Sequence, residues 1–205
     1  MFIWNIPTGE KYMKRKPEIV VIAGPNGSRK STYTEFIVGP NQFADESFEY
    51  INADEIQAST NCSPMDAAIK ATEMRENALR RKANFAFETV LSTRRNLDLL
   101  IRAKENGYFI RGFYFLTKDS QLNVSRVNSR VAEGGHNVPK EKIISRYDKS
   151  LALLPEFVNV CDSVNIWDNS SDRAYRIFNK KINTSTYFPN PVWSEEEVCK
   201  LTKTE

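Results

Sequence analysis

The 205-residue sequence has one histidine and three cysteines, so it is poor in the side chains that most often bind transition metals or form disulfides. The cysteines, Cys62, Cys161 and Cys199, are odd in number, far apart and without the C-x-x-C spacing of a metal site. Neither a disulfide framework nor a zinc site is predicted. A reducing cytoplasm fits this cysteine usage.

Long apolar runs and a strong charge imbalance are also missing. No segment approaches the roughly 20 apolar residues that a membrane-spanning helix needs, so no membrane association is predicted. The apolar start, Met1 to Trp4, precedes the basic cluster at Lys11 to Lys16, which is the reverse of a secretory signal. The formal net charge is only +3, which gives no reason to expect a nucleic acid as a specific partner.

The apolar residues that are present, 40% of the chain, suffice for one substantial core. We predict an N-terminal arm over residues 1–16, one domain over residues 17–185 and a C-terminal tail over residues 186–205. The tail combines an extended piece with a short helix capped near Ser194.

Alternating strand-like and helix-like segments indicate an α/β fold with helices on both faces of a mainly parallel sheet. The continuous apolar run Glu18–Ala23 predicts a strand that is covered on both faces. The other predicted strands are Phe48–Ile51, Phe85–Phe87, Tyr108–Phe115 and Ser163–Trp167. The predicted helices are 64–83, 96–105, 121–132 and 140–154. Five strands predict a small sheet, with ligands at the carboxyl ends of its strands.

A phosphate-binding loop follows the first predicted strand. The segment from Gly24 to Thr32, GPNGSRKST, matches the spacing G-x-x-x-x-G-K-[ST] except at Arg29. In such a loop the backbone N–H groups surround a phosphate, the lysine neutralises phosphate oxygens, and the serine hydroxyl binds Mg²⁺ at a helix N-terminus. Lys30 and Ser31 are in place for the last two roles. The nucleotide-binding candidates are Gly24, Asn26, Gly27, Ser28, Arg29, Lys30, Ser31 and Thr32.

Arg29 stands where the motif has glycine, and this departure has a physical cost. Glycine at that position lets the backbone approach the phosphate and adopt dihedral angles that other residues avoid. A side chain there is expected to cost on the order of 1 to 3 kcal/mol in strain. The arginine either swings outward and leaves a weakened kinase, or closes the loop against ATP. A third interpretation is that it is an inactivating change, introduced or selected because the active protein harms its host.

Acidic and amide side chains follow the other predicted strands. Asp54 comes after the second strand, and we predict that it accepts the proton of an acceptor hydroxyl as a base. The alternative is that it caps the N-terminus of a helix, as aspartate often does. Glu88 ends the third strand and predicts a contact to Mg²⁺ or to substrate, with a structural salt bridge as the alternative. Asp168, Asn169 and Ser170 follow the fifth strand.

Arginines four residues apart predict a phosphate-clamping lid. Arg126 and Arg130 lie on one face of a predicted helix, and Arg146 on the next helix is placed to join them. The alternative for the pair is a solvated charged face. The single histidine, His136, lies in the loop between these helices, as a substrate contact or as a capping group.

Taken in order, these motifs resemble the zeta-toxin family, over about Pro17 to Ser170. The motifs that carry the resemblance are GPNGS with KST at 24–32, INADEI at 51–56, FAFET at 85–89, RV at 126–127 and at 130–131, GGHNVP at 134–139, RY at 146–147 and DNS at 168–170. The resemblance implies a P-loop NTPase of the nucleoside-kinase-like type, a three-layer sandwich with a five-stranded, mainly parallel sheet and a helical lid.

The resemblance also implies an activity, namely phosphoryl transfer from ATP, with Mg²⁺, to a hydroxyl of a UDP-amino sugar such as UDP-N-acetylglucosamine. It implies Asp54 as catalytic base and Lys30, Arg126 and Arg130 as phosphate-contacting catalytic groups. The residues expected to contact the substrate are Asn52, Glu88, Thr89, His136 and Arg146. Asn169 is expected to contact the nucleotide, and Ser31 is expected to bind the metal ion. As a toxin, the protein would be neutralised by a separate antitoxin.

Two other functions fit the same residues. A degenerate P-loop protein would keep the pocket and act as a regulated partner, which Arg29 favours. A polynucleotide 5′-kinase would use the same loop, aspartate base and lid arginines, although the modest net charge of +3 argues against it.

Overall fold

The computed structural model describes residues 16–38, 48–135 and 137–203. In these ranges, seven strands form one sheet: β1 (Glu18–Ala23), β2 (Phe48–Tyr50), β3 (Asn84–Thr89), β4 (Phe109–Leu116), β5 (Ser163–Asp168), β6 (Tyr175–Lys181) and β7 (Thr184–Tyr187). The helices are α1 (Lys30–Val38), α2 (Ala53–Thr60), α3 (Pro64–Arg81), α4 (Arg94–Glu105), α5 (Ser120–Ala132), α6 (Lys140–Ala152), α7 (Leu154–Val160) and α8 (Glu195–Thr202).

The sheet has the strand order β2-β3-β1-β4-β5-β6-β7, and its first five strands are parallel. The α/β architecture and all five predicted strands are therefore confirmed, but the sheet is larger than predicted. β6 pairs antiparallel with β5, and β7 pairs antiparallel with β6. Sequence reasoning missed this hairpin because its two-residue turn, Ile182-Asn183, lacks the Asn-Gly signal, and Ile182 takes the left-handed backbone conformation with φ 49°.

The central strand β1 is buried along Ile19–Ala23, as the continuous apolar run predicted. The larger core lies between one face of the sheet and α3, α4 and α7, and it includes Phe85, Phe87 and Phe157. On the other face, Tyr33 of α1 stacks on Phe115, with ring centroids 4.8 Å apart. The sheet therefore carries helices on both faces, as in a three-layer sandwich.

The two helices of the predicted lid, α5 and α6, share a small core of their own. Val124 and Val127 of α5 pack against Val138 and Ile143. The structure thus pairs α5 with α6 beside the sheet. Pro155, which was expected to end this region, instead lies in the first turn of a further helix, α7, where its missing N–H costs no helical hydrogen bond.

The segment predicted as a tail packs onto the domain. Its helix α8 begins with the capping box expected from the sequence, in which Ser194 and Glu197 exchange hydrogen bonds. Trp193 and Val198 are buried in the larger core, and the Trp193 indole N–H donates to Asp168 Oδ2 at 2.8 Å. Lys118 lies over the Trp193 ring and forms an ion pair with Glu197. Trp193 therefore connects the C-terminal segment to the loop after β5.

Trp193→Ala is predicted to lower the free energy of unfolding by about 3 to 5 kcal/mol, because it removes a large buried side chain and the donor to a buried carboxylate. Urea denaturation of the full chain measures this change. Trp193→Phe keeps most of the packing and is predicted to cost less than half as much. A loss below about 1 kcal/mol for Trp193→Ala would mean that the C-terminal segment contributes little to the domain.

Candidate functional site

The phosphate loop joins β1 to α1 at the carboxyl edge of the sheet. It begins at Gly24, whose N–H donates to the Thr89 carbonyl at 3.1 Å. A Cβ at Gly24 would lie 2.1 Å from the Phe115 carbonyl oxygen, and one at Gly27 would lie 2.6 Å from that of Asn123. Both glycines also have positive φ, so the loop packs against its neighbours at a distance that only glycine permits.

Two buried amide side chains, one on α5 and one just after β5, donate hydrogen bonds to carbonyl groups of the loop. Asn123 of α5 donates through Nδ2 to the Asn26 carbonyl at 2.6 Å, and Asn169 donates to the Ser28 carbonyl at 2.8 Å. Their side chains are 0% and 1% exposed, respectively. These bonds fix the direction of two loop carbonyls. Asn169 was predicted to contact the nucleotide, and in the structure its side-chain N–H instead donates to the backbone of the phosphate loop.

Arg29 has φ 61°, which is the left-handed conformation that glycine adopts at low cost. The backbone strain expected from the sequence is therefore present. The Arg29 side chain is exposed and lines the cavity beside the loop. Of the two outcomes weighed for Arg29, this geometry corresponds to the outward side chain that adds positive charge.

The cavity beside the loop has a volume of about 440 Å³ and a cationic lining. Arg29, Lys30, Arg126 and Arg130 all line it, so the structure brings both predicted lid arginines to the phosphate loop. Burial lowers the pKa of Arg126, and the nearby Arg29 charge lowers it further. Such repulsion between cations is relieved when an anion lies between them, so the donor set fits a polyphosphate.

Arg126 and Arg146 also touch the loop backbone and its neighbours. Arg126 donates to the Gly27 carbonyl at 3.5 Å and to the Ser170 carbonyl at 3.3 Å, whereas Arg146 donates to Asn26 Oδ1 at 3.5 Å. These are long, weak hydrogen bonds. Both guanidinium groups therefore lie against the phosphate loop and are held there by weak contacts.

Lys30 begins α1, where a helix leaves its first N–H groups unbonded and carries positive partial charge. Its ammonium donates to the Pro25 carbonyl at 3.4 Å. Burial lowers the pKa of Lys30, and the Arg130 charge acts in the same direction, while Glu88 and Asp54 raise it. Lys30 therefore lies within the electrostatic reach of both acidic candidates.

The Glu88 carboxylate, at the end of β3, accepts hydrogen bonds from three hydroxyl groups. It accepts hydrogen bonds from Ser31 at 2.9 Å, from Thr34 at 2.6 Å and from Tyr50 at 3.0 Å. The salt bridge considered as an alternative for Glu88 is not among the described ion pairs. A carboxylate joined to the loop serine offers two oxygen ligands of the kind that Mg²⁺ prefers.

Asp54 lies in the first turn of α2 and is exposed. The N-cap of α2 is Asn52, whose side chain accepts from the Asp54 N–H at 2.9 Å, so capping does not account for Asp54. Asn52 also donates to the Tyr50 hydroxyl at 2.9 Å. The predicted substrate residue Asn52 thus orders the segment that carries Asp54, and the role of Asp54 as a base stays a prediction.

The remaining predicted residues divide into three kinds. Thr89 is buried, and its hydroxyl accepts from the Leu91 N–H and from Asn96 Nδ2, so it holds the turn after β3. Thr32 is exposed on α1 and lines the cavity. His136 lies outside the described residues. Contacts of these residues with a substrate stay predictions.

Sequence reasoning missed Asn123 and Tyr50 as supports of the site. Asn123 is a polar side chain on the same buried face of α5 as Val124 and Val127, and that misplaced polarity is the signal that could have identified it. Tyr50 gave no comparable signal, because an aromatic residue is ordinary in a strand.

Among the described residues, no group of three or more histidine, cysteine, aspartate or glutamate side chains is placed to hold a metal ion. In the same residues, no helix is long and apolar enough to cross a membrane. The three cysteines are unpaired.

Comparison with solved structures identifies the class of fold. The chain is similar to a chain of the AvrRxo1-ORF1:-ORF2 complex with ATP, with a TM-score of 0.68 and 15% identity over 92% of this chain. It spans 64% of the length of that chain. It is also similar to a chain of the PezAT toxin-antitoxin system of Streptococcus pneumoniae, with a TM-score of 0.54 and 17% identity, covering 95% of this chain and 86% of that one.

A third similar structure belongs to the Pnkp1/Rnl/Hen1 RNA repair complex, with a TM-score of 0.53 and 17% identity over 71% of this chain and 47% of that one. These likenesses confirm the predicted three-layer α/β fold. In sequence, the chain is 29% identical over 133 residues to an uncharacterized protein of Haemophilus influenzae, covering 62% of this chain and 91% of the relative. No protein-family model matches the chain.

Arg29→Gly is predicted to raise the free energy of unfolding by about 0.5 to 1 kcal/mol, because it relieves a left-handed conformation. It is also predicted to strengthen ATP binding, because the loop no longer carries a Cβ beside the phosphate. Lys82→Gly is the matched control, since Lys82 has φ 54° at the end of α3, away from the cavity.

Thermal unfolding and calorimetric titration with ATP measure both effects. Lys82→Gly is predicted to stabilise the protein without changing its affinity for ATP. Equal ATP affinities for the original protein and for Arg29→Gly would show that the strain at this position does not limit nucleotide binding.

Proposed function

We propose that the protein is an ATP-dependent kinase that phosphorylates a sugar hydroxyl of a UDP-amino sugar such as UDP-N-acetylglucosamine. The observation that carries the proposal is the hydrogen bond from the phosphate-loop serine, Ser31, to Glu88, whose charge, like that of Asp54, raises the pKa of the neighbouring Lys30. This arrangement supports Lys30 as the phosphate-binding cation, Ser31 and Glu88 as metal ligands and Asp54 as the base.

In this proposal ATP supplies the phosphoryl group. Lys30 and the first turn of α1 would hold its phosphate oxygens, and Ser31 with Glu88 would hold Mg²⁺. Arg126 and Arg130 would neutralise the charge that spreads over the transferred group. Asp54 would accept the proton of the acceptor hydroxyl, a role suited to an exposed carboxylate in the first turn of α2.

The likeness to a chain of the PezAT toxin-antitoxin system supports a role as a toxin that is neutralised by a separate antitoxin protein. The cytoplasm as its place of action is proposed from the cysteine usage of the sequence. The likeness to a chain of a complex solved with ATP supports ATP as the nucleotide. The UDP-amino sugar comes from the resemblance of the motifs at 51–56 and 85–89 to those of the zeta toxins.

Two further functions have an observation in their favour. The strained backbone at Arg29 favours a degenerate P-loop protein that keeps its cavity and acts as a regulated partner. The likeness to a chain of the RNA repair complex favours a polynucleotide 5′-kinase. Tight ATP binding with Arg29 in place would count against the first. Failure to bind a short single-stranded oligonucleotide at low salt would count against the second.

Asp54→Asn is predicted to lower turnover by about 10² to 10⁴-fold, because the side chain can no longer accept the acceptor proton, while ATP affinity stays the same. The assay is ADP release that depends on UDP-N-acetylglucosamine, run with the original protein and in an Arg29→Gly background. Glu55→Gln is the matched control, since Glu55 is the next residue of the same helix turn and is also exposed.

Full turnover by Asp54→Asn would show that Asp54 is not the base. An equal loss in Glu55→Gln would mean that general negative charge on α2, and not a positioned carboxylate, sets the rate.

A further inference from the structure

The two oxygens of the Glu88 carboxylate have different partners. Oε1 accepts from the Thr34 hydroxyl at 2.6 Å and from the Tyr50 hydroxyl at 3.0 Å. Oε2 accepts from the Ser31 hydroxyl at 2.9 Å. Ser31 and Thr34 lie on successive turns of α1, whereas Tyr50 is the last residue of β2. Two separate elements therefore fix the orientation of this carboxylate.

The Thr34 hydroxyl donates to Glu88 in preference to its own helix. Its oxygen also lies 3.3 Å from the Lys30 carbonyl oxygen, one helical turn earlier. A hydroxyl has a single proton, and the bond of 2.6 Å to a charged acceptor is the shorter and stronger of the two. Because the Thr34 side chain is buried, water has little access to this bond.

The Tyr50 hydroxyl connects Glu88 to the segment that carries Asp54. It donates to Glu88 and accepts from Asn52 Nδ2 at 2.9 Å, and Asn52 caps the N-terminus of α2. Burial raises the pKa of Tyr50, and the Glu88 charge raises it further, so the hydroxyl keeps its proton well above neutral pH. A continuous series of hydrogen bonds thus runs from the start of α2 to Ser31.

These bonds leave oxygen lone pairs on one side of the carboxylate. Thr34 and Tyr50 occupy both lone pairs of Oε1, whereas Ser31 occupies one of the two on Oε2. Because Ser31 gives its only proton to Oε2, the lone pairs of its own oxygen stay available. None of the ion pairs between described residues includes Glu88, so its negative charge is not cancelled by a direct cation contact.

We propose that Thr34 and Tyr50 are positioning residues for a divalent cation that binds together with ATP. By occupying Oε1, they keep Oε2 beside the Ser31 oxygen, so these two oxygens are the ones open to the cation. Oxygen ligands of this kind suit Mg²⁺. The inference rests on the proposed use of ATP with Mg²⁺, and it adds two side chains that the proposed reaction does not otherwise use.

A purely structural role for Tyr50 is the competing interpretation. The strand β2 is only three residues long and lies at the edge of the sheet, where Tyr50 pairs with Ala86 of β3. In that case the bond to Glu88 would serve to hold β2 on the sheet. Its loss would then weaken ATP binding equally with and without Mg²⁺.

The test measures the affinity of the full chain for ATP by calorimetry, over a series of Mg²⁺ concentrations and in EDTA. Tyr50→Phe is predicted to raise by about 10-fold the Mg²⁺ concentration that gives half of the gain in ATP affinity, because groups that orient a metal ligand contribute this much to metal affinity. The affinity in EDTA is predicted to stay the same. Thr34→Val is predicted to act like Tyr50→Phe, whereas Thr34→Ser restores the hydroxyl and is predicted to match the original protein.

Tyr108→Phe is the matched control. It removes a phenol hydroxyl that donates to the Ala78 and Ala83 carbonyls at 3.1 Å, just before β4 and thus at the opposite edge of the sheet. It is predicted to lower thermal stability without changing the Mg²⁺ dependence. The same titrations are run in an Arg29→Gly background, in which ATP binding is predicted to be stronger.

An unchanged Mg²⁺ dependence in Tyr50→Phe and Thr34→Val would overturn the inference, as would an equal change in Tyr108→Phe. Losses of ATP affinity that are the same in EDTA and in Mg²⁺ would assign Tyr50 the structural role instead. ATP binding that is absent, or independent of Mg²⁺, both with Arg29 in place and in Arg29→Gly would also overturn it.

These titrations need no turnover, so they separate this inference from the proposed function. A Mg²⁺-dependent ATP site that weakens in Tyr50→Phe and Thr34→Val, in a protein that phosphorylates no UDP-amino sugar, would refute the proposed function and leave the positioning role standing. Phosphorylation of the sugar nucleotide with an unchanged Mg²⁺ dependence in both variants would do the reverse.

Discussion

The shape of the phosphate loop depends on hydrogen bonds that buried side chains of other elements donate to its carbonyl groups. Asn123 and Asn169 bind two of these carbonyls, and the Gly24 N–H anchors the start of the loop to β3. Because Asn123 belongs to α5 and Asn169 follows β5, the loop is shaped by parts of the chain about 100 and 140 residues away. The C-terminal segment extends this support, since Trp193 binds Asp168 directly beside Asn169.

Arg29 fits into this loop without breaking it, which explains how a departure from the motif leaves the fold intact. The backbone at Arg29 keeps the left-handed conformation of a glycine, at a local cost in strain, and the side chain joins the cationic lining of the cavity. Together with Lys30, Arg126 and Arg130 it concentrates positive charge where a triphosphate would bind. The effect of Arg29 is thus a balance between backbone strain and added charge.

The sequence predicted those parts of the fold that local patterns determine. The apolar run at β1, the loop that follows it and the arginine spacing on α5 all have short-range signals, and each lies where it was predicted. What it could not predict depends on distant contacts. The β6–β7 hairpin lacks a turn signal, Asn52 rather than Asp54 caps α2, and the hydroxyl cluster on Glu88 joins residues 57, 54 and 38 positions away.

The most direct test of the account is to follow the γ-phosphate of labelled ATP in the presence of UDP-N-acetylglucosamine and a 5′-hydroxyl oligonucleotide together. The account predicts that the label appears in the sugar nucleotide, faintly with Arg29 in place and strongly with Arg29→Gly. Label in the oligonucleotide alone, or in neither acceptor with both forms of the protein, would contradict it.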